Sequence, residues 1–282
     1  MQDPTLLDLP MGRLHVREDG HGTGPPLLPI HAFAGSLHAW DPVVEHLACA
    51  HRVIRMDMLG HGHSDKPADG YAMAEQARAV VATLDRLGIA RVIAVGHSGG
   101  GDVVVALVEH FRERIAGAAL LGTPPNLTYV HLPLTARLFS VPLLGSIVWR
   151  FVTDDMIRDG LAKTFAPGFA TSPAVYAPFV RDLRRMTHRS YVRARAAVER
   201  FRRERDLTMR VADTGVPLLI VFGDRDQWVD PRAAAHWARA SAARIAILPG
   251  IGHTPLVECP EATARVLLDF AREEHPADAA GA

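Results

Sequence analysis

The stretch "VIAVGHSGGGDVVV", residues 92–105, runs from a buried-strand pattern into a helical one. Between them stands Gly96-His97-Ser98-Gly99-Gly100, a G-x-S-x-G pattern. Placed between strand and helix, that pattern predicts a sharp turn that presents a serine hydroxyl at the sheet edge, beside a helix N-terminus. Gly96 and Gly100 lack Cβ atoms, so two chain segments can crowd together there. A serine hydroxyl attacks poorly until a base takes its proton. Of fifteen histidines, His253 in "LPGIGHTPLVECPE" lies just past the last predicted strand, on the same edge as Ser98. The base in turn needs a carboxylate to fix its tautomer. "VFGDRDQWVD" offers Asp224, Asp226 and Asp230. Asp226 lies deepest in the loop and is the first choice. Asp224 is the runner-up, and Asp230 reads as the cap of a helix beginning at Pro231. A developing oxyanion would meet the backbone N–H of Gly99 and, from "HAFAGS", that of Phe33.

The remaining histidines divide by position. His97 is predicted to pack beneath the serine. His31, His61 and His63 read as loop-shaping residues at the same edge, with His31 also a candidate substrate contact. His15, His51, His188 and His236 are predicted on the surface or on helix faces.

Elements that could carry these residues are legible in the apolar pattern. Residues 5–19 predict two short strands around a turn at Met11-Gly12. Near-continuous apolar runs then alternate with helical periodicities: "PPLLPIHAF", "HRVIRMDM", "RVIAVG", "IAGAALLGT", "VPLLIVFGDRD" and "ARIAILPG" as strands, with helices between them. That rhythm predicts an α/β protein with a parallel sheet covered on both faces. From Pro124 to Arg210 the pattern is helical throughout. The predicted organisation is a core of residues 1–123 and 211–282, with residues 124–210 inserted as a helical cap.

Taken together, "IHAFAGS", "RMDMLGHGHSDKP", "VGHSGGGD", "LLIVFGDRDQWVD" and "GIGHTPLVECPE" resemble the α/β-hydrolase superfamily across nearly the whole chain. The resemblance implies an eight-stranded, mostly parallel sheet, a cap inserted after the sixth strand, and a hydrolase without cofactor or metal. Two departures stand out. Ala32 follows His31 where the family usually has glycine. Pro29 falls inside a strand the fold places centrally, which predicts a bulge or bend that shifts the Phe33 loop. Many relatives also carry a larger residue at the Gly99 position, so extra room beside the serine, or a looser oxyanion donor, is expected here.

With serine as nucleophile, the expected chemistry is acyl transfer from an ester, thioester or lactone to water. The first expectation is a carboxylesterase or lipase-like enzyme. Alternatives are a cofactor-free perhydrolase resembling haloperoxidases, a C–C bond hydrolase of ring-cleavage products and, last, a non-catalytic ligand receptor. The apolar stretch "LTARLFSVPLLGSIVWRFV" predicts a hydrophobic roof, with Leu138, Leu143 and Trp149 as candidate substrate contacts. From Arg181 to Arg210 eleven arginines face four acids. That excess reads as a solvated helix face or, more sharply, a positive rim for anionic substrates.

The 282 residues carry 48% hydrophobic and 22% charged side chains and no formal net charge, which points to neither nucleic acid nor a membrane surface. Cys49 and Cys259 fit reduced thiols, and the N-terminal residues lack the basic-then-apolar run of a signal peptide. No stretch reaches the roughly 20 apolar residues of a spanning helix. The chain reads as cytoplasmic, with a small-molecule ester as partner, no nucleic acid, no stable membrane insertion, and homodimer formation left open.

Overall fold

The central strands β5 (Val92–His97) and β6 (Ile115–Leu121) are almost wholly apolar on both sides, and the structure shows why. In β5 Val92 and Ala94 face one core while Ile93 and Val95 face the other. In β6 Ala118 and Leu120 alternate with Ala119 and Leu121 in the same way. A side-chain period of two with both faces covered favours apolar residues at every position between the strand ends. The computed structural model describes residues 5–131, 141, 144–169 and 172–274.

β1 (Thr5–Leu9) and β2 (Gly12–Asp19) form an antiparallel hairpin at one edge. β2 pairs antiparallel with β4 (His51–Met56), and the sheet continues in parallel through β3 (Gly24–Ile30), β5, β6, β7 (Leu218–Gly223) and β8 (Arg244–Leu248). The spatial order is β1-β2-β4-β3-β5-β6-β7-β8. The order reverses around β3, so loops after β3 and β5 open side by side at the strands' C-terminal ends. Ligands bind at such a crevice in open α/β sheets.

One face is covered by α2 (Met73–Arg86), α3 (Gly99–His110) and α9 (Ala233–Ala240), the other by α1 (Asp41–Ala48) and α11 (Pro260–Glu274). Between β6 and β7 the described residues contribute α4 (Leu144–Arg150), α5 (Asp154–Ala162), α6 (Pro173–Arg185), α7 (His188–Glu204) and α8 (Leu207–Val211) and no strand of the sheet. α10 (Pro255–Glu258) is a single turn following His253.

Pro29 and two of the histidines depart from expectation. Pro29 sits in unbroken register with Val95 of β5, and the irregularity in β3 falls between Gly24 and Leu27, at the Pro25-Pro26 pair. Two consecutive residues without an N–H interrupt the ladder more than one does. His15 and His51, expected outside, are buried. His15 Nδ1 meets Asp57 Oδ2 at 2.8 Å and His51 Nδ1 meets the Pro25 carbonyl at 2.8 Å, so each ring is hydrogen-bonded inside a strand. Much of the arginine run is paired with acids, two pairs at the i, i+4 spacing of a helix face. Arg184 pairs with Asp154, Arg193 with Asp69, Arg200 with Glu204, Arg202 with Asp102, and Arg205 and Arg210 with Glu109. Several of these acids lie outside the run, where the compensating negative charge of a zero-sum chain must be.

Candidate active site

Ser98 stands between β5 and α3 with φ +51° and ψ −115°. A non-glycine residue in such a conformation costs about 1–3 kcal/mol and persists only where its surroundings impose it. Here Ser98 N–H donates to the Leu121 carbonyl at 2.7 Å, and Thr123 Oγ1 donates to the Ser98 carbonyl at 3.1 Å. The end of β6 thus holds the elbow from beside it. A Cβ on Gly100 would lie 2.5 Å from the carbonyl oxygens of Ile30 and His31, so only glycine lets α3 start against the end of β3.

Ser98 Oγ lies 2.9 Å from His253 Nε2. On the other side of the ring, His253 Nδ1 lies 2.7 Å from Asp226 Oδ2. With Nδ1–H donating to the carboxylate, Nε2 is left as the acceptor for the serine proton. Asp226 is itself oriented by its loop, because Oδ1 accepts the N–H groups of Trp228 at 2.7 Å and Val229 at 2.9 Å. The two runner-up acids are spent elsewhere. Asp224 Oδ1 accepts from Gly250 N–H, and Asp230 Oδ1 accepts from Arg232 N–H ahead of α9.

The N–H groups of Phe33 and Gly99 donate to no protein acceptor among the described residues. A Cβ on Gly99 would lie 3.0 Å from Phe33 Cβ and 3.1 Å from Phe33 N. The extra room expected beside Ser98 is therefore absent; the missing side chain lets the Phe33 loop approach, bringing the two amides together. Ala32 is accommodated because the turn places its left-handed residue at Ala34 (φ +63°).

His31, a candidate substrate contact, does not line the cavity over Ser98. It is 2% exposed, Nε2 accepts from Met58 N–H at 3.0 Å, and Nδ1–H donates to the Ala32 carbonyl at 2.8 Å. Both nitrogens are used in holding the loop that carries Phe33. Trp149 of α4 does line the cavity over Ser98 and packs on Tyr191, with ring centroids 5.0 Å apart. Leu138 and Leu143 lie outside the described residues.

That cavity has a volume of about 490 Å³. Its walls include Phe33, Val152, Ile157, Phe165, Val198 and Val229, with Ser98 and His253 on the floor. Sequence reading missed most of these wall residues, and Tyr191 with them. Tyr191 packs on Phe33 with ring centroids 4.9 Å apart and the rings tilted by 56°. Tyr191, Arg195 and Glu199 follow one another at i, i+4 spacing along one face of α7, a periodicity hidden by the surrounding arginines. Arg195 and Arg202 also line the cavity, but Glu199 meets Arg195 at 2.8 Å and Asp102 holds Arg202 through two bonds of 2.5 and 2.7 Å.

His97 Nε2–H donates to the His253 carbonyl at 2.7 Å from beneath the site. Burial, followed by the nearby His253, pushes His97 down to about 3; burial, with His31 beside it, does the same for His61. Both rings are thus neutral in the folded protein while their unfolded counterparts titrate near 6.5. The unfolded chain binds more protons below that pH, so stability contributed by these rings is present above pH 6.5 and is lost as pH falls toward 3. Between pH 7 and pH 5 the expected loss is about 2 kcal/mol for each. Thermal unfolding at pH 7, 6 and 5 checks this; a Tm unchanged across the series contradicts it.

The family model described as alpha/beta hydrolase fold matches residues 25–260. The chain belongs to the α/β-hydrolase family. This α/β hydrolase is 28% identical to the dihydrolipoyllysine-residue acetyltransferase component of the acetoin cleaving system of Pseudomonas putida, over 91% of its own length and 66% of that relative's. It spans just under two thirds of that protein. It is also 28% identical to the non-heme haloperoxidase of Rhodococcus erythropolis, covering 82% of this chain and 86% of the other. Among solved structures, the enol-lactonase of Burkholderia xenovorans LB400 matches with a TM-score of 0.80 at 25% identity, over 94% of this chain and 99% of that one. Among the described residues, no helix is long and apolar enough to cross a membrane, and no cluster of three His, Cys, Asp or Glu side chains is arranged to hold a metal ion.

Proposed function

We propose that the protein is a serine hydrolase that cleaves carboxylic esters with a hydrophobic acyl group through an acyl-enzyme. The observation that carries this reading is the line Ser98 Oγ, His253 Nε2, His253 Nδ1, Asp226 Oδ2, with spacings of 2.9 and 2.7 Å, opening into an apolar cavity. Ser98 Oγ attacks the ester carbonyl carbon as its proton passes to His253 Nε2. The carbonyl oxygen becomes an oxyanion facing the N–H groups of Gly99 and Phe33. Asp226 stabilises the imidazolium. The tetrahedral intermediate collapses, and His253 gives its proton to the departing alcohol. Water then attacks the acyl-serine by the same route, with His253 again taking and returning the proton.

Hydrophobic acyl preference rests on the cavity walls. Of the three Lys and Arg side chains that line the cavity among the described residues, Arg195 and Arg202 are already matched by Glu199 and Asp102, and Asp159 lines it together with Lys163, which favours an uncharged chain over an anionic one. Each buried methylene contributes about 0.8 kcal/mol, or roughly fourfold in kcat/KM. A p-nitrophenyl ester series from acetate to palmitate is therefore expected to show kcat/KM rising at least about tenfold from acetate to hexanoate. Acetate as the best substrate would contradict the acyl assignment, and no turnover on any member would contradict ester hydrolysis itself. The haloperoxidase relative supports a second reading, in which hydrogen peroxide takes the place of water at the acyl-enzyme. That reading expects peroxide-dependent bromination in acetate buffer.

A further inference from the structure

His253 is a loop residue, yet its backbone is held from every side. Its own N–H donates to the Thr164 carbonyl at 2.8 Å, and its carbonyl accepts from His97. The amides on either side of it converge on one carboxylate. Glu258 Oε2 accepts from Gly252 N–H at 2.9 Å, and Oε1 accepts from Thr254 N–H at 3.1 Å. The same Oε2 also accepts from Ala166 N–H at 2.8 Å. Ala166 belongs to the connection after α5, two residues beyond the carbonyl that receives the His253 amide.

We propose that Glu258 is a positioning residue for His253, and that it works by clamping the segment Thr164–Ala166 against the histidine loop. This rests on the reading of His253 as the base. Glu258 touches neither substrate nor reacting atoms, and its two oxygens are engaged by three backbone amides. Amides bound to an ionised carboxylate make shorter and stronger bonds than those bound to neutral acceptors. α10 makes the arrangement: one helical turn after Thr254 carries the Glu258 side chain back over the residues preceding it. The clamp extends to the acid loop, since Gln227 Nε2 donates to the Phe165 carbonyl at 2.9 Å. Thr254 Oγ1 also donates to Thr164 Oγ1 at 3.1 Å. Thr164, Phe165 and Thr254 all line the cavity. The wall that meets the acyl chain and the loop that carries the base are therefore one bonded unit. Acyl-chain contact with Phe165 and alignment of His253 with Ser98 are coupled through Glu258.

A displacement of about 1 Å at a reacting group costs on the order of 10²-fold in rate. Glu258→Ala is therefore expected to lower kcat on p-nitrophenyl hexanoate by about 100-fold, with KM within about threefold. Glu258→Gln keeps one acceptor oxygen and should recover roughly tenfold of that loss. The full-length variants are compared for Tm, kcat and KM, and for the rate at which a p-nitrophenyl alkylphosphonate labels Ser98. A folded Glu258→Ala with wild-type kcat and labelling rate overturns the proposal, as does a loss carried entirely by KM. Should Glu258→Ala be unfolded at the assay temperature, Glu258→Gln decides alone, and wild-type kcat in that variant overturns it. Failure of the hydrolase reading looks different: the wild-type protein itself neither turns over esters nor is labelled.

Discussion

Ser98→Ala is expected to lower kcat on p-nitrophenyl hexanoate by about 10⁶-fold, with Tm within a few degrees of wild type. The two halves of this expectation have separate causes. Removing Oγ leaves His253 with no proton to take and no atom to form the acyl bond. What survives is rate support from the Gly99 and Phe33 amides and from binding in the cavity, which amounts to about 10³–10⁴-fold over water in comparable sites. The fold is little affected because the elbow is held by backbone contacts that alanine retains: Ser98 N–H to Leu121, and Thr123 Oγ1 to the Ser98 carbonyl. The positive φ remains as strained for alanine as for serine. Steady-state kinetics beside a thermal melt checks both halves. A folded variant that loses less than about a hundredfold contradicts the assignment of Ser98 as nucleophile.

Asp226→Asn carries the next largest effect, a loss of about 10⁴-fold in kcat with KM and Tm little changed. Asparagine is nearly the shape of aspartate, and its Oδ1 continues to accept from Trp228 and Val229 N–H. That anchoring directs the new NH₂ group at His253 Nδ1, which previously donated there. The imidazole must then present Nδ1 as an acceptor and carry its proton on Nε2, facing Ser98. A ring in that tautomer cannot take the serine proton, and no carboxylate remains to stabilise an imidazolium. Purified variant protein assayed across pH 6–9 tests this. A kcat within about tenfold of wild type contradicts the orientation assigned to Asp226.

The sequence is most informative where one physical requirement dominates. Apolar runs such as "VIAV" and "LLIVFG" specify two-faced burial, so the parallel sheet was legible. G-x-S-x-G between strand and helix left few alternatives for Ser98. Asp226 and His253 could be singled out because they follow strands whose ends share one sheet edge. Where two requirements compete, local pattern misleads. Gly99 looked like room for substrate, but the space is occupied by Phe33, which lies far away in sequence. Pro29 looked like a ladder defect, yet the Pro25-Pro26 pair upstream takes the irregularity. His31 looked available because it is polar and near the edge. Its nitrogens are consumed by Met58 and Ala32, a contact set no local pattern encodes. The arginines of α7 read as a solvated face, whereas Arg202 is buried against Asp102 of α3, 100 residues earlier. Glu258 was not singled out, because its partners are backbone amides, which carry no side-chain signature.

The most direct test is to treat the full-length protein with a p-nitrophenyl alkylphosphonate and to locate the adduct by intact mass and peptide mapping. Stoichiometric release of p-nitrophenol, with one phosphonyl group on Ser98 and none on Ser98→Ala, is the result this mechanism requires. An unlabelled wild-type protein that nonetheless hydrolyses esters, or an adduct on any other residue, contradicts it.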